Sequence, residues 1–211
     1  MNSKIQEIRQ KLYLRRDGAA SSSMREKGVE YKLNFGVPIL TLREIAKEYA
    51  PNAELADELW KEDVRELKLL ATLIQDVSSF TEADNWVNQI NNIELAEQAT
   101  MNLFCKIQNP ILHTQKWVNS KKLYTQICGF ILYSRLFRLE YQMNEEEDKN
   151  YFYAVFDALN SESLLLRNKA LNSLTHLGQQ SVLKSKNILA QVNENSDLSS
   201  ELKQILHEEL S

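Results

Sequence analysis

Glu58-Leu59-Trp60-Lys61-Glu62-Asp63-Val64-Arg65-Glu66-Leu67-Lys68-Leu69-Leu70-Ala71 runs out of one amphipathic helix, across a short polar link and into a second. Apolar side chains return at spacings of three and four on both sides of the link, which is the period of a helix with one buried face. The same grammar recurs downstream. Lys122 leads into Tyr124-Thr125-Gln126-Ile127-Cys128-Gly129-Phe130-Ile131, and Glu162 leads into Leu166-Arg167-Asn168-Lys169-Ala170-Leu171-Asn172-Ser173. Helix, short link, helix, repeated along a chain, is how helical-hairpin repeats of about 40–47 residues read.

Outward from these blocks the helical period continues almost everywhere. It predicts helices near 3–16, 22–33, 41–49, 53–61, 63–77, 81–90, 92–107, 110–118, 121–139, 145–159, 163–177, 180–192 and 198–210. Helix starts are signalled by capping-box patterns at Ser3…Gln6, Ser23…Glu26, Thr41…Glu44, Asp63…Glu66 and Asn144…Glu147. In each, a short polar side chain can accept from free N–H groups while the residue three on reaches back. Pro38, Pro51 and Pro110 each stand at or just before a new apolar period, where a missing N–H costs nothing. No alternating run bounded by turn residues reads as a strand. The expectation is an all-α fold: a right-handed solenoid of about six antiparallel helix pairs, HEAT-like or ARM-repeat in kind, as one domain over residues 1–211.

Composition narrows the function classes. The 211 residues are 43% apolar and 26% charged, ordinary for a chain with a real core. Only 5 Gly and 3 Pro are present, too few for a sandwich with a turn every ~8–12 residues. No run of ~18 uncharged apolar residues offers a membrane span, and the first residues show no apolar signal-peptide core. Cys105 and Cys128 lie in helical apolar runs and read as free thiols of a cytoplasmic protein. His113, His176 and His207 are scattered, so no metal and no cofactor is expected.

Charge is unevenly spread. Residues 1–50 carry a net +4, residues 51–100 a net −8, residues 101–150 a net +2 and residues 151–211 a net −2, giving −4 overall. An acidic total argues mildly against a dedicated nucleic-acid binder. A solenoid can nevertheless be acidic outside and basic in its groove. Arg43, Lys47, Arg65, Lys68, Lys106, Lys121, Lys122, Arg135, Arg138, Arg167 and Lys169 are the candidates for such a lining, against the blander reading that they are solvated helix flanks.

Two segments carry a family resemblance. Tyr31-Lys32-Leu33-Asn34-Phe35-Gly36-Val37-Pro38-Ile39-Leu40-Thr41-Leu42-Arg43 is similar to an aromatic-Phe-Gly signature, and Glu58 to Ala71 is close to a Glu-Leu-Trp…Arg-Glu signature. Both resemble the AlkD-like alkylpurine DNA glycosylases, the HEAT-like repeat proteins of DNA alkylation repair. Phe35 and Gly36 are expected to close the link between helix pairs, and Trp60 to pack across a pair. Arg65 and Glu66 are expected to bridge repeats, with a phosphate contact by Arg65 as the alternative.

The resemblance also implies a chemistry. Purines alkylated at N3 or N7 are cationic leaving groups, and their excision calls for a carboxylate beside an oxocarbenium-like sugar, with an aromatic face next to it. The family supplies a Trp four residues before an Asp, an Arg on the next inward helix and a second Trp later. Here the matching helix reads Asn92-Ile93-Glu94-Leu95-Ala96-Glu97-Gln98-Ala99-Thr100-Met101, and no Trp precedes an acid by four. Ile127 stands where the Arg is expected, and Ser173 near the later Trp. Glu97 and Glu94 are the acids that remain as catalytic candidates; Tyr124 and Trp86 are displaced aromatics, of which Trp86 reads as core.

These readings converge on a DNA alkylation repair family protein that binds duplex DNA through its concave groove, with little or no standard glycosylase activity. Two alternatives stand beside it. One is an active 3-/7-alkylpurine DNA glycosylase using Glu97 or Glu94. The other is a scaffold whose groove takes a protein partner, which the acidic total charge favours.

Overall fold

The computed structural model describes residues 3–210. It divides into two compact units, Met1–Gln108 and Asn109–Ser211. The first unit contains α1 (Ser3–Leu14), α2 (Gly18–Glu26), α3 (Ile39–Lys47), α4 (Ala53–Lys61), α5 (Arg65–Ile74), α6 (Ala83–Val87) and α7 (Ile93–Asn102), followed by a 3-10 turn at Phe104–Lys106. The second contains α8 (Pro110–Val118), α9 (Leu123–Arg138), α10 (Glu145–Leu159), α11 (Leu164–Gly178), α12 (Val182–Glu194) and α13 (Ser200–Leu210). Among the described residues there is no strand. One isolated parallel bridge joins Leu33 to Val64.

The helix starts follow capping chemistry. Asp17, Asn52, Asn92, Ser163 and Ser181 each accept a backbone N–H from the first turn of the helix they open. Asn144 and Glu147 complete a reciprocal capping box. Three expected boxes are corrected. The second helix begins at Gly18 behind Asp17, so Ser23 and Glu26 lie inside it. The third begins at Ile39 behind Pro38, ahead of Thr41. Asp63 caps nothing: Val64 opens α5, Asp63 accepts from the Lys32 N–H, and Glu66 is recruited to a different task described below.

In the first unit α4 packs on α5, and α5 on both α3 and α7. Leu59, Leu67, Leu70, Ala71 and Ile74 are fully buried between them, and burying a Leu or Ile side chain contributes about 1.5–3 kcal/mol. Trp60, at the end of α4, stacks on Trp86 with ring centroids 4.2 Å apart and planes within 5°. In the second unit α8 pairs with α9, α10 with α11 and α12 with α13, while α9 packs broadly on α11. Gly129 permits the α8–α9 contact, because a Cβ there would fall 2.8 Å from the Val118 backbone nitrogen. Tyr133, Phe137 and Tyr151 form an aromatic cluster with centroids 4.7–5.4 Å apart.

Candidate nucleic-acid interface

The two signature segments meet in space. Glu66, fully buried at the first turn of α5, accepts the N–H groups of Phe35 at 3.0 Å and Val37 at 3.2 Å. Between them Gly36 adopts φ +72°, and a Cβ on it would lie 2.1 Å from the Asp17 carbonyl oxygen. Only glycine fits both demands. Arg65 completes the junction from the same turn. Its Nη1 donates to the Val37 carbonyl and to Glu66, while Nε and Nη2 grip the two oxygens of Glu94 on α7 at 2.7 and 2.5 Å. A guanidinium fork matched to a carboxylate is the strong form of a charged hydrogen bond.

Burial decides what these groups can do. Arg65 is 2% exposed and Glu94 28%. Arg65 therefore does not belong to a DNA-facing set: its guanidinium is committed to Glu66, Glu94 and Val37. Glu94 is correspondingly held as a structural counter-ion. Beside it Asn92 donates to the Tyr31 hydroxyl at 2.9 Å. Burial pushes that phenol up to about 12, with the Asn92 hydrogen bond pulling down and the Glu94 charge pushing up. Glu97 lies one turn further along α7, half-buried.

Lys68 is also spoken for. It donates to the Trp60 carbonyl at 2.5 Å and sits 4.7 Å from the Trp60 ring centroid. Burial lowers its pKa, with Asp63 opposing, and the cation caps a helix end rather than facing solvent. Trp60 itself is 2% exposed, so it packs across the helix pair as expected, and Trp86 is core. Lys47 is exposed and paired with Glu44 at 2.8 Å.

The remaining cations have a different character. Arg43 and Lys106 in the first unit are exposed. In the second, Lys121, Lys122 and Arg138 are exposed, while Tyr124, Arg135, Arg167 and Lys169 are half-buried. No hydrogen bond or ion pair to another described residue holds the Arg43, Arg135, Arg138 or Arg167 side chain. On α9, Tyr124, Ile131, Arg135 and Arg138 follow each other at seven, four and three residues, so they share one face. Where α9 and α11 end, Phe137, Arg138, Glu140, His176, Gln179 and Gln180 enclose a cavity of about 200 Å³. Gln180 ties the ends together by donating to the Phe137 carbonyl at 2.7 Å. His176, in sequence one of three scattered histidines, lines this cavity beside Arg138.

The two positions where the resemblance leads one to expect the family's Arg and second Trp lie in the core. Ile127 is fully buried, as is Ser173, whose hydroxyl is 2.9 Å from that of Tyr151. Among the described residues no group of three or more His, Cys, Asp or Glu side chains could hold a metal ion. No helix among them is long and apolar enough to cross a membrane.

Pairs of helices joined by short links, one of them locked by the Arg65-Glu66 turn to the Phe35–Val37 segment, define a HEAT-like helical-repeat protein. The chain belongs to the DNA alkylation repair enzyme family, whose model matches residues 8–174. It shares its fold with a solved structure described as one of a new family of proteins related to the HEAT-like repeat DNA glycosylases with affinity for branched DNA structures. The two are 18% identical with a TM-score of 0.77, over 97% of this chain and 93% of that one. No curated protein sequence matches the chain significantly.

Proposed function

We propose that this protein binds duplex and branched DNA through phosphate contacts, without the standard excision of alkylated purines, and that residues 1–211 work as one repeat domain for this task. The observation that carries the reading is the division among its charged groups. Arg65, Lys68 and Glu94 are consumed in holding helices together, whereas Arg43, Arg135, Arg138 and Arg167 have no partner among the described residues. Unpartnered arginines on helix faces suit phosphate recognition. The family membership supports a DNA partner, and the affinity of the structural neighbour for branched DNA supports a branched one. Cys105 and Cys128 are not joined in a disulfide, which fits a reducing, cytoplasmic compartment.

Excision requires a carboxylate beside the sugar and an aromatic face with it. Glu94 is bound in two-point fashion by Arg65. Ile127 and Ser173 are buried where the family's Arg and second Trp are expected. The test is to incubate the chain with methylated duplex and to measure bound DNA and released base together. Binding without release of 7-methylguanine or 3-methyladenine is the expected result. Release that is abolished by Glu97→Gln would instead establish a glycosylase with a rearranged site.

A further inference from the structure

The first unit holds a groove of about 780 Å³ between α1 and the Leu33–Phe35 link. That volume lies within the ~300–1,000 Å³ of small-ligand sites. Its walls are apolar and open: Tyr13 is 55% exposed, Leu14 79% and Leu33 37%, with the half-buried Phe35 opposite. Arg16 lies over the Tyr13 ring, its guanidinium carbon 3.8 Å from the centroid. Arg9 also lines the groove and is paired with Glu62 at 2.8 Å.

The lining contains two polar side chains that are more than nine-tenths buried, Asn34 and Ser21. The Asn34 amide nitrogen has only the Met24 thioether as partner, at 3.5 Å, so one of its two N–H groups is left over. Ser21 spends its proton on the Asn34 carbonyl, which leaves its oxygen as an acceptor. Flat apolar walls, a stacked guanidinium, one buried donor and one buried acceptor fit a planar heterocycle whose edge carries both kinds of group. The surrounding quarter of the chain, residues 1–50, has a net charge of +4, which favours a heterocycle tethered to phosphate.

We infer that this groove receives an unpaired nucleobase of a DNA strand, stacked on the Tyr13–Arg16 platform with its backbone phosphate near Arg16. The inference rests on the DNA-binding reading above and deepens it, because branched DNA offers unpaired bases where its arms meet and intact duplex does not. Stacking on aromatic and guanidinium planes is sequence-tolerant, since every base presents a π face.

The test uses the full chain and a branched DNA carrying 2-aminopurine at an unpaired junction position, with a second DNA carrying it in a paired arm. Wild-type protein quenches the unpaired probe and leaves the paired probe unchanged. Tyr13→Ala and Arg16→Ala each abolish the quench and weaken binding to the branched DNA about tenfold, while affinity for fully paired duplex stays within twofold. Tyr153→Ala, an exposed aromatic on α10, changes neither reading. Circular dichroism confirms that each variant is folded. If both groove variants bind branched DNA as wild type does with the quench intact, the inference is overturned while the DNA-binding reading stands. That result would also be expected of a groove made for an acidic protein segment. If wild type binds neither DNA, the DNA-binding reading falls and takes this inference with it.

Discussion

The Arg65 guanidinium clasps the Glu94 carboxylate at two points, Nε to Oε2 at 2.7 Å and Nη2 to Oε1 at 2.5 Å, and so joins the first turn of α5 to the first turn of α7. Glu66 holds the third side of the same cation at 2.7 Å. Removing Arg65 leaves Glu66 buried without its counter-charge, a change that costs about 3–5 kcal/mol. Arg65→Met is therefore expected to lower the thermal midpoint steeply. Arg65→Lys recovers only part of the loss, because an ammonium cannot reproduce the two-point grip. Thermal unfolding of the two variants checks this, and an Arg65→Met protein as stable as wild type would contradict it.

Gly36 sits at φ +72° with the Asp17 carbonyl where its Cβ would be. Gly36→Ala adds both backbone strain and a backbone clash, and a left-handed non-glycine residue alone costs about 1–3 kcal/mol. The expected outcome is loss of more than about 2 kcal/mol of stability, measured by urea unfolding. Gly18→Ala is the control, since a Cβ there meets nothing within 4 Å.

The hydroxyls of Tyr151 and Ser173 are 2.9 Å apart in the core of the second unit, and Ser173 also donates to the Ala170 carbonyl at 2.8 Å. The two truncations are not equivalent. Ser173→Ala strands the buried Tyr151 hydroxyl, a loss of about 1–3 kcal/mol, whereas Tyr151→Phe leaves Ser173 its second partner and costs about 1 kcal/mol. Equal losses in calorimetry would contradict this ordering.

His176 provides the pH dependence. Burial lowers its pKa below the ordinary 6.5, the Arg138 charge lowers it further, and the Asn172 backbone opposes both. The unfolded chain thus takes up a proton at a higher pH than the folded one. Its contribution to stability is present above the unfolded pKa and is lost as pH falls through the folded value. His176→Asn is expected to flatten the decline in thermal midpoint as the pH is lowered from about 7 towards 5. An unchanged decline would remove His176 from the explanation.

Much of this architecture is legible in sequence because it rests on period and caps. The helices at 53–61, 110–118 and 145–159 have the expected bounds, each with Asn52, Pro110 or Asn144 in a role its chemistry dictates. The second helix, Gly18–Glu26, starts ahead of the expected residue 22 because Ser23…Glu26 reads as a capping box in sequence. The true cap, Asp17, stands before a glycine and two alanines. The cations were less legible. The bridging role of Arg65 and Glu66, which the structure bears out, is an expectation that comes with the family signature. By spacing alone Arg65 and Lys68 look like any helix-flank charge. Their burial comes from Glu94, 29 residues away in sequence, and from the Trp60 carbonyl at the preceding helix end. Long-range partners of this kind leave no local mark.

The most direct test of the central claim is the salt dependence of affinity for a four-way DNA junction, measured by fluorescence anisotropy with wild type and with Arg135→Ala/Arg138→Ala. Binding by phosphate contacts gives a linear fall of log affinity with log salt, with a slope of about 0.9 per phosphate neutralised on duplex arms. The account predicts such a line for wild type, a shallower one for the double variant, and tighter binding to the junction than to linear duplex. Affinity indifferent to salt, or no binding at low salt, would contradict it.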